Sequence, residues 1–301
     1  MSRLADRYGI SGSVCNKGSY VEIIARADES IIGDFVHAIE AEAPERSAIV
    51  KVKVMDYPLD IGAQSGFEIA LSKHEDGQIF VSPDIATCPD CARELFDKNN
   101  RRYLHPFINC TQCGPRLTIL DSMPYDREKT SMAGFPMCEA CSDEYTDMDS
   151  RRYHAQPVCC NDCGPELYTL VGGASGTGRH EGAYGAAALL ETRAVIRNGG
   201  IAAIKGIGGF HLCCDAANEA AVQRLRQLKA RPMKPFAVMM RDLEVVGREC
   251  RLEPEMEPLL TGPQKPIILI PRHTGSADSK SADSRIAASV APDNPNLGVM
   301  L

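Results

Sequence analysis

Eight of the thirteen cysteines in this 301-residue chain fall into one frame written twice. Cys88, Cys91, Cys110 and Cys113 read C-x2-C, eighteen residues, C-x2-C, and Cys138, Cys141, Cys160 and Cys163 repeat that frame at a shift of 50. The same shift carries Asp97 onto Asp147, Arg101-Arg102-Tyr103 onto Arg151-Arg152-Tyr153 and Gly114-Pro115 onto Gly164-Pro165, so the stretch is a duplication. A C-x2-C turn aims two sulfurs at one point, and a second turn beside it completes a tetrahedron around zinc with Zn–S of about 2.3 Å. Four thiolates fill that sphere and leave no position for water or substrate. Two structural zinc sites are therefore expected, each contributing about 10–16 kcal/mol to a segment too small to draw its stability from a core.

Iron–sulfur ligation is chemically open to the same thiolates, although it commonly uses unequal, clustered spacings. Pairing within each repeat is the expected arrangement; an interleaved one, joining one repeat's first pair to the other's second, satisfies the spacing as well. Glycines 114 and 164 suit the turn after each last ligand. Cys159 has no counterpart at Asn109 and reads as a bystander. Each four-thiolate zinc carries a formal charge of about -2 and needs donors nearby, which Arg101-Arg102 and Arg151-Arg152, inside the two long loops, can supply. Zinc ribbons also offer arginines to nucleic acid, but Glu94, Asp97, Glu144, Asp147 and Asp149 share these loops and break any basic stripe.

The elements around this module have to position whatever other chemistry exists. Lys+Arg 33 against Asp+Glu 40 gives a net charge of -7, so no overall positive field draws the chain to nucleic acid or anionic lipid, and an anion site has to be local. No run approaches the ~18 apolar residues of a membrane span, and the opening residues lack the apolar centre of a signal peptide. A cytoplasmic setting with no membrane partner is expected, where thiols stay reduced and cysteines serve as ligands or core.

Before the cysteines, Gly9 to Ala27 alternates into a strand after an Asn16-Lys17-Gly18 turn, "ESIIGDFVHAIEAEAP" has helical spacing with His37 on its surface, and "AIVKVKVMDY" (48–57) alternates as a second strand. After them, "VGGASGTGRHEGAYG" (171–185) has linker composition. "ALLETRAVIRNGG" then reads as a helix stopped by Gly199-Gly200, "IAAIKG" as a buried strand, "NEAAVQRLRQLKA" as a helix capped by Asn218, and "PFAVMM" and "PIILI" as further buried strands. Such alternation argues for an α/β layer with a mostly parallel or mixed sheet. Lys229, Arg231 and Lys234 crowd three cations into six residues at a helix end, a candidate anion clamp as well as an ordinary solvated loop. "KGIGGFH" (205–211) follows a strand without the spacing of a dinucleotide loop and reads as a tight turn. Cys213, Cys214 and Cys250 have no partner in a C-x-x-C motif and read as core.

Taken in order, "CPDCARELFDKNNRRYLHPFINCTQCGPRLTIL", "PYDREKTSMAGFPMCEAC", "RRYHAQPVCCNDCGP", "AIKGIGGFHLCCDA" and "RPMKPFAVM" resemble the HypF family, the carbamoyltransferases of NiFe-hydrogenase maturation, from about Gly9 to Leu301. The resemblance implies a multidomain α+β and α/β fold: an acylphosphatase-like α/β sandwich over 1–75, a duplicated zinc-ribbon module over 76–170, a linker over 171–185, and a YrdC-like α/β domain over 186–301. It implies carbamoyl phosphate and ATP as substrates, with Mg, and a HypE-like protein whose C-terminal cysteine accepts the carbamoyl group. A zinc-dependent RNA-binding module is the alternative. By the same resemblance Asn16 matches the acylphosphatase asparagine that orients the attacking water, Lys229, Arg231 and Lys234 match the motif that grips nucleotide phosphates, and Lys205 and His211 fall where related enzymes bind an amino acid. The glycine loop expected before the first helix is missing from the chain, as are the later YrdC-like strands and the transfer domain. An internal fragment, inactive in complete turnover, is the expectation.

Overall fold

The computed structural model describes residues 1–18, 20–43, 47, 49–56, 66–70, 81–172, 179–273 and 284–301. The chain separates into two compact units, Met1–Val81 and Ser82–Leu301. The expected boundary at 75/76 and residues 173–178 of the expected linker lie outside the described residues.

In the first unit helix α1 (Ser2–Tyr8) ends on Gly9, whose φ of 64° is the left-handed turn that glycine adopts without penalty. Strand β1 (Ser11–Asn16) pairs antiparallel with β2 (Val21–Arg26), helix α2 (Glu29–Ala41) follows, and β3 (Phe67–Ala70) returns parallel to β1, giving the order β2-β1-β3. The apolar stripe of α2 buries Phe35 against Ala5 and Ile10, and the rings of Tyr8 and Phe67 meet Phe35 edge-on at 6.3 and 6.5 Å. His37 is exposed on this helix, as its position suggested. The alternating stretch at 48–57 is not a strand: among its described residues 49–56 the backbone is irregular and Val50 is 96% exposed. β1 is filled on both edges by β2 and β3, and among the described residues 49–56 pair with neither outer edge of that sheet, so the alternation has no ladder to support it.

The second unit begins with the cysteine module, in which α3 (Pro89–Phe96) and α4 (Glu139–Thr146) occupy equivalent places in the two repeats. Beyond it β4 (Tyr168–Gly172) and β5 (Arg179–Tyr184) form an antiparallel pair, so part of the glycine-rich stretch read as a linker is strand. Helix α5 (Gly185–Arg197) stops at Gly199, φ 75°, as expected. Strands β6 (Ala202–Gly206) and β7 (Gly209–Cys213) then close a hairpin over Ile207-Gly208. Helix α6 (Glu219–Leu228) is capped by Asn218, whose Oδ1 accepts from the Ala221 N–H at 3.0 Å.

A mixed sheet follows. Strand β8 (Ala237–Met239), helices α7 (Leu243–Glu249) and α8 (Glu257–Thr261), β9 (Ile268–Pro271) and β10 (Asn296–Met300) assemble in the order β8-β10-β9, with β10 parallel to β8 and antiparallel to β9. Its core joins Val222, Val238, Val246, Cys250, Leu260, Ile270, Leu297 and Val299. The strands expected to be buried are buried on one face at most: Val238 and Ile270 point inward, while Met239 is 71% and Leu269 66% exposed. The β6–β7 ribbon departs further, with Phe210 71% exposed, because among the described residues each of its strands pairs only with the other. Cys250 is core; Cys213 and Cys214 are partly buried at the end of β7.

Candidate metal centres

Each repeat gathers its own four cysteines. The sulfurs of Cys88, Cys91, Cys110 and Cys113 lie within 4.8 Å of one another, as do those of Cys138, Cys141, Cys160 and Cys163, so the sulfurs group within repeats rather than interleaved. The local chain explains the convergence. The first pair of each set sits on a helix start, not on a free turn: Cys88 caps α3 and Cys91 is three residues on, its N–H donating to the Cys88 sulfur at 3.5 Å. Cys138 and Cys141 hold the same places on α4, where the Cys141 N–H donates to the Cys138 carbonyl at 3.0 Å instead of to the sulfur. Pro89 at the first position of α3 costs no hydrogen bond, and the positive end of the helix favours thiolates. The second pair of each set lies on a tight turn, with Cys113 N–H donating to Cys110 C=O at 3.4 Å and Cys163 N–H to Cys160 C=O at 3.3 Å. Gly114, φ 98°, follows because a Cβ there would stand 2.5 Å from the Asn109 Cβ.

The donor set fits zinc. A tetrahedron with Zn–S of about 2.3 Å has S···S edges of about 3.8 Å. The observed edges are 3.8 Å for Cys88–Cys110, 3.7 Å for Cys110–Cys113, and 3.8, 3.8 and 3.6 Å for Cys138–Cys160, Cys160–Cys163 and Cys163–Cys141. These are too long for disulfides and too short to enclose a cluster whose thiolates bind separate irons. Such crowding splits the acidities: hydrogen bonds from Cys113 and Cys91 hold the Cys110 thiol far below its ordinary value, and the hydrogen bond to Cys110 pushes Cys113 up to about 11. Four sulfurs this close ionise together only around a cation. The two clusters therefore support two structural zinc sites.

Three of the four paired arginines, Arg101, Arg102 and Arg151, do donate to sulfur, but to the sulfur of the other repeat. Arg101 reaches the Cys141 and Cys138 sulfurs at 3.1 and 3.7 Å, and Arg102 reaches Cys141 at 3.5 Å. In return Arg151 lies 3.9 Å from the Cys88 sulfur and 3.8 Å from that of Cys91. Glu144 accepts from Arg101 at 2.8 Å and Arg102 at 3.1 Å, and Glu94 accepts from Arg151 at 2.6 Å and from Arg152. Burial would raise the two carboxyls, but hydrogen bonds and charge from these arginines hold both below the usual carboxylate value. The buried stems are anchored on equivalent carbonyls, Arg102 Nε on Cys159 O at 2.8 Å and Arg152 Nε on Asn109 O at 3.1 Å.

One constellation has no motif in the sequence. His105 Nδ1 lies 3.0 Å from Asn161 Oδ1 and its Nε2 3.2 Å from the Cys159 sulfur. Asn161 Nδ2 donates to Tyr103 O at 2.9 Å, which turns Oδ1 toward the ring, so Nδ1 carries the proton and Nε2 accepts from the thiol. Cys159 is thus a partner in the contact between repeats, not a bystander. The order Cys-His-Asn mimics a nucleophile with its base, but Cys159 is 1% and His105 0% exposed, and burial pushes the thiol up to about 12. No substrate can reach it. Equivalent position 155 is alanine, so the duplication itself hid the histidine's role.

Among the remaining candidates, Asn16 ends β1 and its Oδ1 accepts from Gly18 N–H at 2.9 Å, an Asx turn. Lys205 pairs across the ribbon with Phe210, its Nζ 5.9 Å from the ring centre, and His211 is exposed opposite Ile204. Lys229, Arg231 and Lys234 share the loop after α6, where Lys229 and Lys234 are exposed. Arg231 spends its guanidinium on the loop, donating to Lys234 O at 3.2 Å and Pro235 O at 2.6 Å over the Phe236 ring. The organiser is a residue with no motif to announce it: Arg226, 7% exposed, donates to Arg231 O at 2.8 Å, Pro232 O and Lys234 O at 3.2 Å, Val290 O at 2.9 Å and Ser289 O. No hydrogen bond or ion pair joins Lys205 or His211 to this loop among the described residues.

Comparison with known proteins places these features in one frame. Family profiles described as Acylphosphatase, HypF finger and Telomere recombination (the Sua5, YciO and YrdC type) match residues 1–69, then 87–120 and 137–170, then 194–301. The chain is 44% identical to carbamoyltransferase HypF2 of Cupriavidus necator and 43% identical to HypF of Synechocystis, in each case over 99% of its length. It covers only 36% and 37% of those proteins. Two solved structures are similar over the whole chain: full-length HypF in a phosphate- and nucleotide-bound form, with a TM-score of 0.85 at 40% identity and 37% of that chain covered, and HypF of T. kodakarensis, with 0.74 at 39% identity and 36% covered. No helix among the described residues is long and apolar enough to cross a membrane.

Proposed function

The chain belongs to the HypF family, and from that premise we propose that it serves an ATP-dependent carbamoyltransferase that makes the cyanide precursor of NiFe-hydrogenase maturation. Since the chain spans little more than a third of its relatives, complete turnover is proposed for a protein that also carries their remaining length. In the proposed division, 1–75 hydrolyses carbamoyl phosphate to carbamate, 76–170 is a metal-held spacer, 171–185 connects, and 186–301 contributes to adenylating carbamate with ATP and Mg. The carbamoyl group then passes to the C-terminal cysteine of a HypE-like protein. The observation that carries this reading is the order of an acylphosphatase match, a doubled finger and a YrdC-type match in one chain. A relative solved with phosphate and nucleotide supports the substrate class.

The residues divide the work by what the fold leaves available. Asn16 is the proposed water-orienting residue; its oxygen is held by Gly18, so that role falls to its amide nitrogen. Lys229 and Lys234 are the proposed phosphate contacts, with Arg231 and Arg226 shaping the loop that presents them. Lys205 and His211, on the exposed ribbon, are proposed to face the carbamate. A nucleic-acid role finds no support in the finger arginines, which are turned onto thiolates and glutamates. Carbamoyl-phosphate-dependent ATP–pyrophosphate exchange, measured in a protein joining this chain to the remainder its relatives carry, is expected to fall at least tenfold in Lys229→Ala and Lys234→Ala. Undiminished exchange in both variants removes the loop from the mechanism.

A further inference from the structure

We infer that the two metal sites are completed crosswise, each held by hydrogen-bond donors of the other repeat, and that loss of metal at one therefore weakens the hold on metal at the other. The inference rests on the geometry of the module and does not depend on the proposed reaction. The donors to the second cluster, Arg101 and Arg102, lie in the first repeat's loop between Cys91 and Cys110; the donor to the first cluster, Arg151, lies in the second repeat's loop between Cys141 and Cys160. Each loop is pinned at both ends by its own cluster. A metal ion at one site thus fixes the arm that neutralises the thiolates at the other.

Further contacts tie the arms across the repeats in matching pairs. Thr111, one residue after Cys110, donates from N–H and Oγ1 to Arg151 O at 3.2 and 3.0 Å. Asn161, one residue after Cys160 and 50 positions on, donates to Arg101 O at 3.3 Å. Arg102 and Arg152 are 2% and 4% exposed, so neither can turn to water if the opposing cluster comes apart. Arg152 also reaches Glu144 at 3.8 Å, linking the two ion-pair groups directly.

Donors to ligand atoms outside the coordination sphere commonly set metal affinity by about 10- to 100-fold, and that is the effect to measure. The full chain is loaded with cadmium, whose NMR resonances report the two four-thiolate sites separately and are assigned with Cys110→Ser and Cys160→Ser. Arg101→Ala is expected to shift the resonance of the second site and to speed its loss to a chelator about 10- to 100-fold, ahead of the first site. Arg151→Ala does the reverse. Arg101→Lys, which keeps charge but not the fork, acts on the same signal and serves if the alanine variant does not fold. Earliest loss from the mutated arginine's own repeat, or no change at either site, overturns the crossed assignment. In Cys160→Ser the intact first site is expected to release cadmium at least tenfold faster than in the parent chain; an unchanged rate overturns the coupling.

Discussion

Arg101 donates to the sulfur of Cys141, 40 residues away and in the other repeat, at 3.1 Å. Burial alone would lower the arginine's pKa, but hydrogen bonds to Cys141 and Glu144 hold it well above the ordinary guanidinium value. The charge that makes a thiolate cluster costly is thus met by a side chain that its own repeat does not contain.

Removing metal should unfold this module. Binding worth about 10–16 kcal/mol per site exceeds what most small domains hold in total. Metal analysis is expected to return two zinc per chain without an iron absorbance. Chelation at neutral pH should open residues 88–163 to protease, and a chelated module that stays resistant would contradict the reading.

Acid should weaken the contact between repeats through His105. Burial lowers this histidine from 6.5 to about 4 in the folded chain, so the unfolded chain binds the proton first as pH falls. Stability is full above 6.5 and drains toward about 4, by about 3 kcal/mol in all. Urea unfolding of zinc-loaded protein at pH 7 and pH 5 should show His105→Gln less stable at pH 7 but less sensitive to acid. Equal acid sensitivity in both proteins would exclude His105 as the titrating group, since zinc release is common to them.

Arg226 should matter to the second unit more than any lysine of the motif beside it. Replacing it with methionine takes the guanidinium donor from the carbonyls of Arg231, Pro232 and Ser289, at a cost of about 3 kcal/mol. Lysine at 226 should not rescue it, because one ammonium cannot span the carbonyls that the fork reaches. Thermal melts should separate these variants from Lys229→Ala, an exposed change expected to stay within about 0.5 kcal/mol.

Two glycines of the first unit should respond in opposite directions. At Gly12, φ 150°, a Cβ would stand 1.9 Å from Ile24 O, so Gly12→Ala should separate β1 from β2 and expose their amides to hydrogen exchange. A Cβ at Gly33, within α2, meets nothing within 4 Å, so Gly33→Ala should stabilise by about 0.5–1 kcal/mol. A neutral Gly12→Ala would mean that β1 and β2 pair differently.

Whatever depends on local order and exact spacing can be read from the chain. The doubled C-x2-C frame requires two four-thiolate sites because ligand type and turn geometry are local properties, and the stop of α5 and cap of α6 follow from Gly199 and Asn218 for the same reason. Alternation at 49–56 misled, because a strand needs a paired neighbour as well as a pattern, and among the described residues β1, β2 and β3 pair only with one another. Tertiary structure alone decided partnership: that Arg101 and Arg151 serve each other's clusters, that His105 locks Cys159 and Asn161 between repeats, and that Arg226 builds the basic loop. Each such contact joins residues that no short motif links, and the energy of a buried charge depends on what the folded chain brings beside it.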